Sequence, residues 1–232
     1  MKIDNLVKTA EKKNAEKLER FENSSKKIRL GILGGTFDPI HYAHLATAEF
    51  IRDKYKLDKI IFIPSGNPPH KTSIVTDKID RYNMVLLATE SNKDFFVSDI
   101  EIKKEQRSYT VDTLEMLRQC YKEAELYFIT GADAICSIEE WKDVKRNFEL
   151  ATFIAATRPG ISLLRAQETI EKLIKKYDAD IISVYVPSLD ISSTYIRDQL
   201  EDGKSVRYLM PDSVEKYLYD KKIYSMEMSR WT

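Results

Sequence analysis

From Ile28 onward, short runs of β-branched and apolar residues alternate with longer segments whose apolar residues recur at helical spacing, and no other feature of the 232-residue chain limits its fold as tightly. The runs are Ile28 to Leu33, Lys59 to Pro64, Phe95 to Ser98, Leu126 to Thr130, Ala151 to Ala156 and Ile181 to Val186. Between the first two, Ala46, Phe50, Ile51 and Tyr55 share a helical face, and after the second Met84, Leu87 and Ala88 do the same. Further helices fall near residues 110 to 121, 162 to 177 and 211 to 220. Such alternation predicts an α/β chain with a doubly wound parallel sheet and right-handed crossovers. Ligands of that architecture sit at the carboxyl ends of the strands.

Residues 1–27 precede this pattern as a Lys-, Glu- and Asn-rich segment with an imperfect stripe of Ile3, Leu6, Ala10, Leu18 and Phe21, interrupted by Asn14. The segment reads as an appended, solvated helix or frayed extension without a part in chemistry; a partner or homo-oligomer contact is the alternative. Residues 28–232 then form one domain. Lysine plus arginine equals aspartate plus glutamate at 37 each, so the chain has no overall field of the kind that draws nucleic acid. No apolar run suggests a signal peptide or membrane span. Cys120 and Cys136 have neither disulfide-framework nor metal-ligand spacing, which suits two buried thiols in a reducing cytoplasm.

The chemistry concentrates in Gly34-Gly35-Thr36-Phe37-Asp38-Pro39-Ile40-His41-Tyr42-Ala43-His44, where the first strand ends and the first crossover helix begins. Paired glycines turn the backbone tightly and expose amide N–H groups, and a helix starting near Pro39 or Ile40 aims its positive end at an anion. His41 and His44, two of three histidines in the chain, share a face of its first turn and reach the same phosphate oxygens. Near the other end, Ile191-Ser192-Ser193-Thr194-Tyr195-Ile196-Arg197 places three hydroxyls at a second helix start, with a guanidinium one turn in. Neither a G-x-G-x-x-G fingerprint nor a P-loop is present, and no Cys or His neighbour in sequence completes a zinc site with the two histidines.

These two segments resemble the H-x-G-H-like and I-S-S-T-x-x-R-like elements of the nucleotidylyltransferase superfamily, over about residues 28 to 220. Within it, the match is to the nicotinate-nucleotide adenylyltransferases. Gly34 to Pro39, Pro68-Pro69-His70-Lys71, Ser108 to Thr113, Gly131-Ala132-Asp133, Trp141, Arg158-Pro159-Gly160 and Val206 to Leu209 run in the family's order. Ala43 departs from the family's usual glycine, and Lys142 stands where many relatives carry an aromatic.

The resemblance implies a Rossmann-like nucleotidylyltransferase fold and transfer of AMP from ATP to nicotinate mononucleotide. Gly34, Gly35, Thr36 and Phe37 would cradle phosphates through backbone groups, with His41, His44, Ser192, Ser193, Thr194 and Arg197 on the triphosphate. Asp133 would sit near a ribose. Thr110 and Trp141 would hold the pyridine ring, and His70 and Lys71 would close over the acceptor. Magnesium would be carried mainly by ATP. An acceptor of nicotinamide mononucleotide or phosphopantetheine, and a dinucleotide-binding module without turnover, are the alternative readings.

Overall fold

The computed structural model of the chain describes residues 2–22, 28–68, 76–157, 163–187 and 189–224. Six strands form one all-parallel sheet in the order β3-β2-β1-β4-β5-β6: β1 (Arg29–Gly35), β2 (Lys59–Pro64), β3 (Phe95–Val97), β4 (Glu125–Gly131), β5 (Thr152–Thr157) and β6 (Ile181–Tyr185). The six runs read from the sequence are these six strands. Alternate side chains feed two cores, one on each face. Leu33, Phe62 and Ile129 enter one, while Ile32, Ile61 and Phe128 enter the other. Continuous apolar runs are what a sheet covered on both faces requires.

The first core is closed by α2 (Tyr42–Lys54), α3 (Lys78–Thr89), α8 (Ser193–Glu201) and α9 (Asp212–Lys221), the second by α4 (Thr110–Cys120), α6 (Val144–Leu150) and α7 (Leu163–Tyr177). A short α5 (Ala132–Cys136) and a 3-10 turn (Ile138–Glu140) follow β4. Sequence periodicity missed α5, the 3-10 turn and α6, which are too short to display two turns of a helical stripe. The start of α2 is corrected too. Asp38 and Pro39 form a turn, Ile40 is buried in the core against which half-buried Leu45 packs, and the helix begins at Tyr42 with His41 as its N-cap.

The N-terminal segment is also not the solvated extension its composition suggests. Helix α1 (Ile3–Glu22) crosses the β3 edge, burying Ile3, Val7 and Ala10 in one core and Phe21 in the other, where the Phe21 ring meets Phe96 at 5.1 Å. Asn14, an interruption when read as a stripe, substitutes for a neighbouring strand: its side-chain nitrogen donates to the Val97 carbonyl (2.9 Å), and its oxygen accepts the Val97 N–H (2.8 Å). An edge strand covered in this way has no free ladder there. Lys17 Nζ lies 2.8–3.1 Å from the carbonyls of Thr89, Glu90, Asn92 and Phe95, supplying donors at the end of α3. Burial lowers the pKa of that ammonium. Cys120 and Cys136, expected inside, are both exposed, since each is the last residue of its helix.

Replacing Asn14 by alanine strips two partners from buried backbone, at a cost of about 2 kcal/mol. Denaturant titration of Asn14→Ala should show that loss; an unchanged midpoint would contradict the edge-pairing role.

Candidate active site

The strand order reverses between β1 and β4, so the crossovers leaving these two neighbours go to opposite faces and their carboxyl ends border a crevice. Two clefts open there. The first, about 570 Å³, is lined by Gly34, His41, His44, Asp133 and Ser192 to Thr194; the second, about 330 Å³, by Gly34, Gly35, Thr36, Thr110 and Trp141. Gly34 and Thr130 line both, so the ends of β1 and β4 form a shared wall.

In the first cleft two longer helices start side by side. His41 caps α2, its N–H donating to His44 Nδ1 at 3.3 Å, and the two imidazoles stack with centroids 3.8 Å apart. With Nδ1 as acceptor, a neutral His44 carries its proton on Nε2. The Phe37 ring meets His44 edge-on at 5.1 Å. Phe37 itself is buried and lines neither cleft; its φ of 52° folds its ring under the turn, where a side chain on Gly35 would have its Cβ 3.0 Å from it. At α8, Ser192 is the N-cap, its Oγ accepting from the Tyr195 N–H at 3.1 Å, and Ser193 Oγ donates to the Pro39 carbonyl at 2.9 Å.

Arg197 does not line either cleft. Its Nη1 donates to the Asp38 carbonyl at 2.7 Å and its Nη2 to Thr194 Oγ1 at 3.3 Å, so it ties the start of α8 to the turn after β1. The same turn is held from below by Arg81, almost fully buried, which donates to the carbonyls of Thr36 (2.8 Å), Gly66 (3.1 Å) and Thr76 (2.9 Å). Sequence reading missed Arg81; its signal was a cation three residues before Met84, on the apolar stripe of α3. Asp133 lies in the first cleft with the histidines, apart from Thr110 and Trp141. His70 and Lys71, expected over the acceptor, fall outside the described residues, as does Arg158-Pro159-Gly160.

The second cleft is more apolar. Trp141 is half-buried with its ring edge-on to Phe128 at 6.1 Å, and Thr110 is the first residue of α4. Lys142 spans its rim, with Nζ 2.9 Å from Asp112 and 4.9 Å from the centre of the Tyr109 ring. Glu101, also missed, is buried in the lining, with Oε1 accepting from Thr113 Oγ1 at 2.8 Å; burial pushes its carboxyl pKa up. Among the described residues, no three His, Cys, Asp or Glu side chains gather as a metal site, and no helix is long and apolar enough to cross a membrane.

A reversed-order parallel sheet with two helix starts converging on a glycine turn defines a nucleotide-handling class, and residues 32–199 match the model of the cytidylyltransferase-like family, to which the chain belongs. The particular proteins it resembles are narrower. It is 50% identical over 204 residues to the "Probable nicotinate-nucleotide adenylyltransferase" of Thermoanaerobacter sp. (strain X514), covering 87% of this chain and 97% of that protein. It is 51% identical over 198 residues to the protein so named from Moorella thermoacetica, covering 84% of this chain and 91% of that one. Among solved structures, the Plasmodium falciparum nicotinic acid mononucleotide adenylyltransferase complexed with NaAD superposes with a TM-score of 0.71 at 23% identity, over 88% of this chain and 100% of that one. That likeness is one of fold.

Because the raised Glu101 pKa lies above that of an unfolded carboxyl, the folded state keeps a proton through the interval that the unfolded chain has released. Its contribution is therefore present at acid pH and lost as pH rises through the raised value. Denaturant titrations from about pH 4 to about pH 8 should show wild type losing stability relative to Glu101→Gln as pH rises. A difference independent of pH would contradict this.

Proposed function

We propose that this protein transfers AMP from ATP to nicotinate mononucleotide, giving nicotinate adenine dinucleotide and pyrophosphate, a step of NAD biosynthesis. The observation that carries the reading is the pair of clefts meeting at one wall, Gly34 and Thr130, since a two-substrate transfer needs donor and acceptor phosphates to meet over a common stretch of backbone. The relatives' names supply the acceptor.

ATP occupies the first cleft. His41 and His44 donate to its phosphates from the start of α2, whose amide N–H groups and dipole favour the same charge. Ser192, Ser193 and Thr194 meet the triphosphate from the start of α8, while Arg197 braces that helix against the turn and adds positive potential. Asp133, exposed at the cleft's edge, faces the ATP ribose. In the second cleft Trp141 stacks on the pyridine ring and Thr110 orients its carboxylate from the α4 start. Gly34 presents backbone to both phosphates, and Gly35 and Thr36 to the acceptor's.

The acceptor's phosphate oxygen attacks the α-phosphorus of ATP in line, the bond to the bridging oxygen breaks, and its electron pair leaves with pyrophosphate. A phosphate monoester is already nucleophilic at neutral pH, so no general base is required, and the residues' task is alignment and charge neutralisation. Magnesium accompanying ATP would be held mainly by the nucleotide's own oxygens and would help neutralise the triphosphate. The exposed, unpaired Cys120 and Cys136 suit the reducing cytoplasm in which such a step would run.

Pyrophosphate release with ATP and nicotinate mononucleotide, nicotinamide mononucleotide or phosphopantetheine in parallel tests the acceptor: preference for the nicotinate form is expected, and preference for either other would overturn the pocket assignment. His41→Ala and His44→Ala should each lower kcat by about 10²- to 10³-fold with the fold intact, as loss of one preorganised electrostatic contact does. A loss below about tenfold in both would remove them from the mechanism. Trp141→Ala should raise the KM for the acceptor about tenfold or more and leave the KM for ATP in place, stacking being worth about 1–3 kcal/mol; equal changes in both would place the ring elsewhere.

A further inference from the structure

The described residues after α9 lie beyond those that match the family model, yet Tyr224 reaches the turn that the ATP cleft is built on. Lys222 closes α9 at a φ of 53°, and Ile223 and Tyr224 turn back onto the first core. Tyr224 too is left-handed, at a φ of 65°, a conformation unfavourable for a tyrosine unless its contacts hold it there. The contact is specific: Tyr224 Oη donates to Asp38 Oδ1 at 2.5 Å.

Asp38 is 2% exposed and stands at a junction. Its other carboxylate oxygen accepts the Thr76 N–H at 3.3 Å, just ahead of α3, and its carbonyl accepts Arg197 Nη1 at 2.7 Å. Arg197 in turn holds Thr194, and Ser193 holds the next carbonyl, that of Pro39. One carboxylate therefore links the tail, the approach to α3 and the peptide that anchors α8. Without the Tyr224 hydroxyl, the Asp38 carboxylate keeps only the Thr76 N–H, a long bond, and the residue on which Arg197 rests loses its shorter side-chain tether. Burial, with Asp38 alongside, raises the Tyr224 phenol above its ordinary pKa, so it remains a donor at neutral pH.

We propose that Tyr224 is a positioning residue for the triphosphate of ATP: its hydroxyl fixes Asp38, and Asp38 fixes Arg197 and the paired helix starts of α2 and α8. This rests on the assignment of ATP to the first cleft. Tyr224 touches no substrate; it acts through Asp38. A tail residue thus completes the donor site, and shortening the chain before it would leave every cleft-lining side chain present but the turn untied.

The test is titration of the full-length chain with the non-hydrolysable analogue adenosine 5′-(α,β-methylene)triphosphate, together with steady-state kinetics, for wild type, Tyr224→Phe and Tyr217→Phe. Tyr217 is the control: it is buried where Tyr224 is half-buried, its hydroxyl donates to Asp80 at 2.6 Å, and among the described residues it has no bond to the turn. Both variants lose one hydrogen-bonded hydroxyl and should melt at similarly lowered temperatures, with binding measured well below either. Tyr224→Phe is expected to weaken the analogue about tenfold and raise the KM for ATP by a like factor, with the KM for the acceptor unchanged, while Tyr217→Phe binds as wild type does. Unchanged affinity in Tyr224→Phe overturns the proposal, and so does an equal loss in both variants, which is the mark of stability alone. A wild-type protein that fails to bind the analogue overturns the ATP assignment itself, a failure distinct from the other two.

Discussion

The reversal of strand order between β1 and β4 is the constraint on which the rest depends, because it leaves the carboxyl ends of two adjacent parallel strands uncovered while helices close both faces elsewhere. At that gap Gly34 contributes backbone and no side chain, so the same few atoms bound a cleft on either side. A side chain at Gly34 would set its Cβ 3.7 Å from the Phe128 ring and so intrude on the second cleft. The site is thus a consequence of sheet topology first and of individual polar residues second.

Those polar residues are effective because the turn from Thr36 to Pro39 is held from several directions. Arg81 takes the Thr36 carbonyl from beneath while tying it to Gly66 and Thr76, Arg197 and Ser193 take the Asp38 and Pro39 carbonyls from α8, and the Asp38 carboxylate is gripped from Thr76 and Tyr224. Charged donors on buried carbonyls are worth more than neutral ones and costlier to remove. A turn held this way keeps its donors aimed before the ligand arrives, the condition under which electrostatic stabilisation of a reaction needs no rearrangement. The outer end of the sheet follows the same rule, with Asn14 and Lys17 of α1 satisfying backbone groups at β3 and α3.

Much of this was legible in the sequence. The six strands and the longer helices followed from periodicity, since a sheet buried on both faces leaves unbroken apolar runs. The residues of both clefts followed from glycine, histidine and hydroxyl placement at helix starts and from the family resemblance. What escaped has a common physical cause: a polar side chain buried against partners distant in sequence leaves little local pattern. Asn14 reads as a break in a stripe, and no motif singles out Arg81, Glu101 or Tyr224. Arg197 was read as a phosphate ligand from its place one turn into α8 and from the family resemblance, and only the fold brings the Asp38 carbonyl within 2.7 Å of it.

The central claim is that donor and acceptor phosphates meet over the shared wall and exchange the adenylyl group in a single in-line displacement. The most direct test is the stereochemical course at the α-phosphorus, followed with ATP made chiral there by sulfur and isotopic oxygen and with nicotinate mononucleotide as acceptor. The account predicts inversion of configuration in the dinucleotide formed. Retention would mean that the adenylyl group rests first on a residue of the protein, and it would contradict the direct transfer for which the two clefts are arranged.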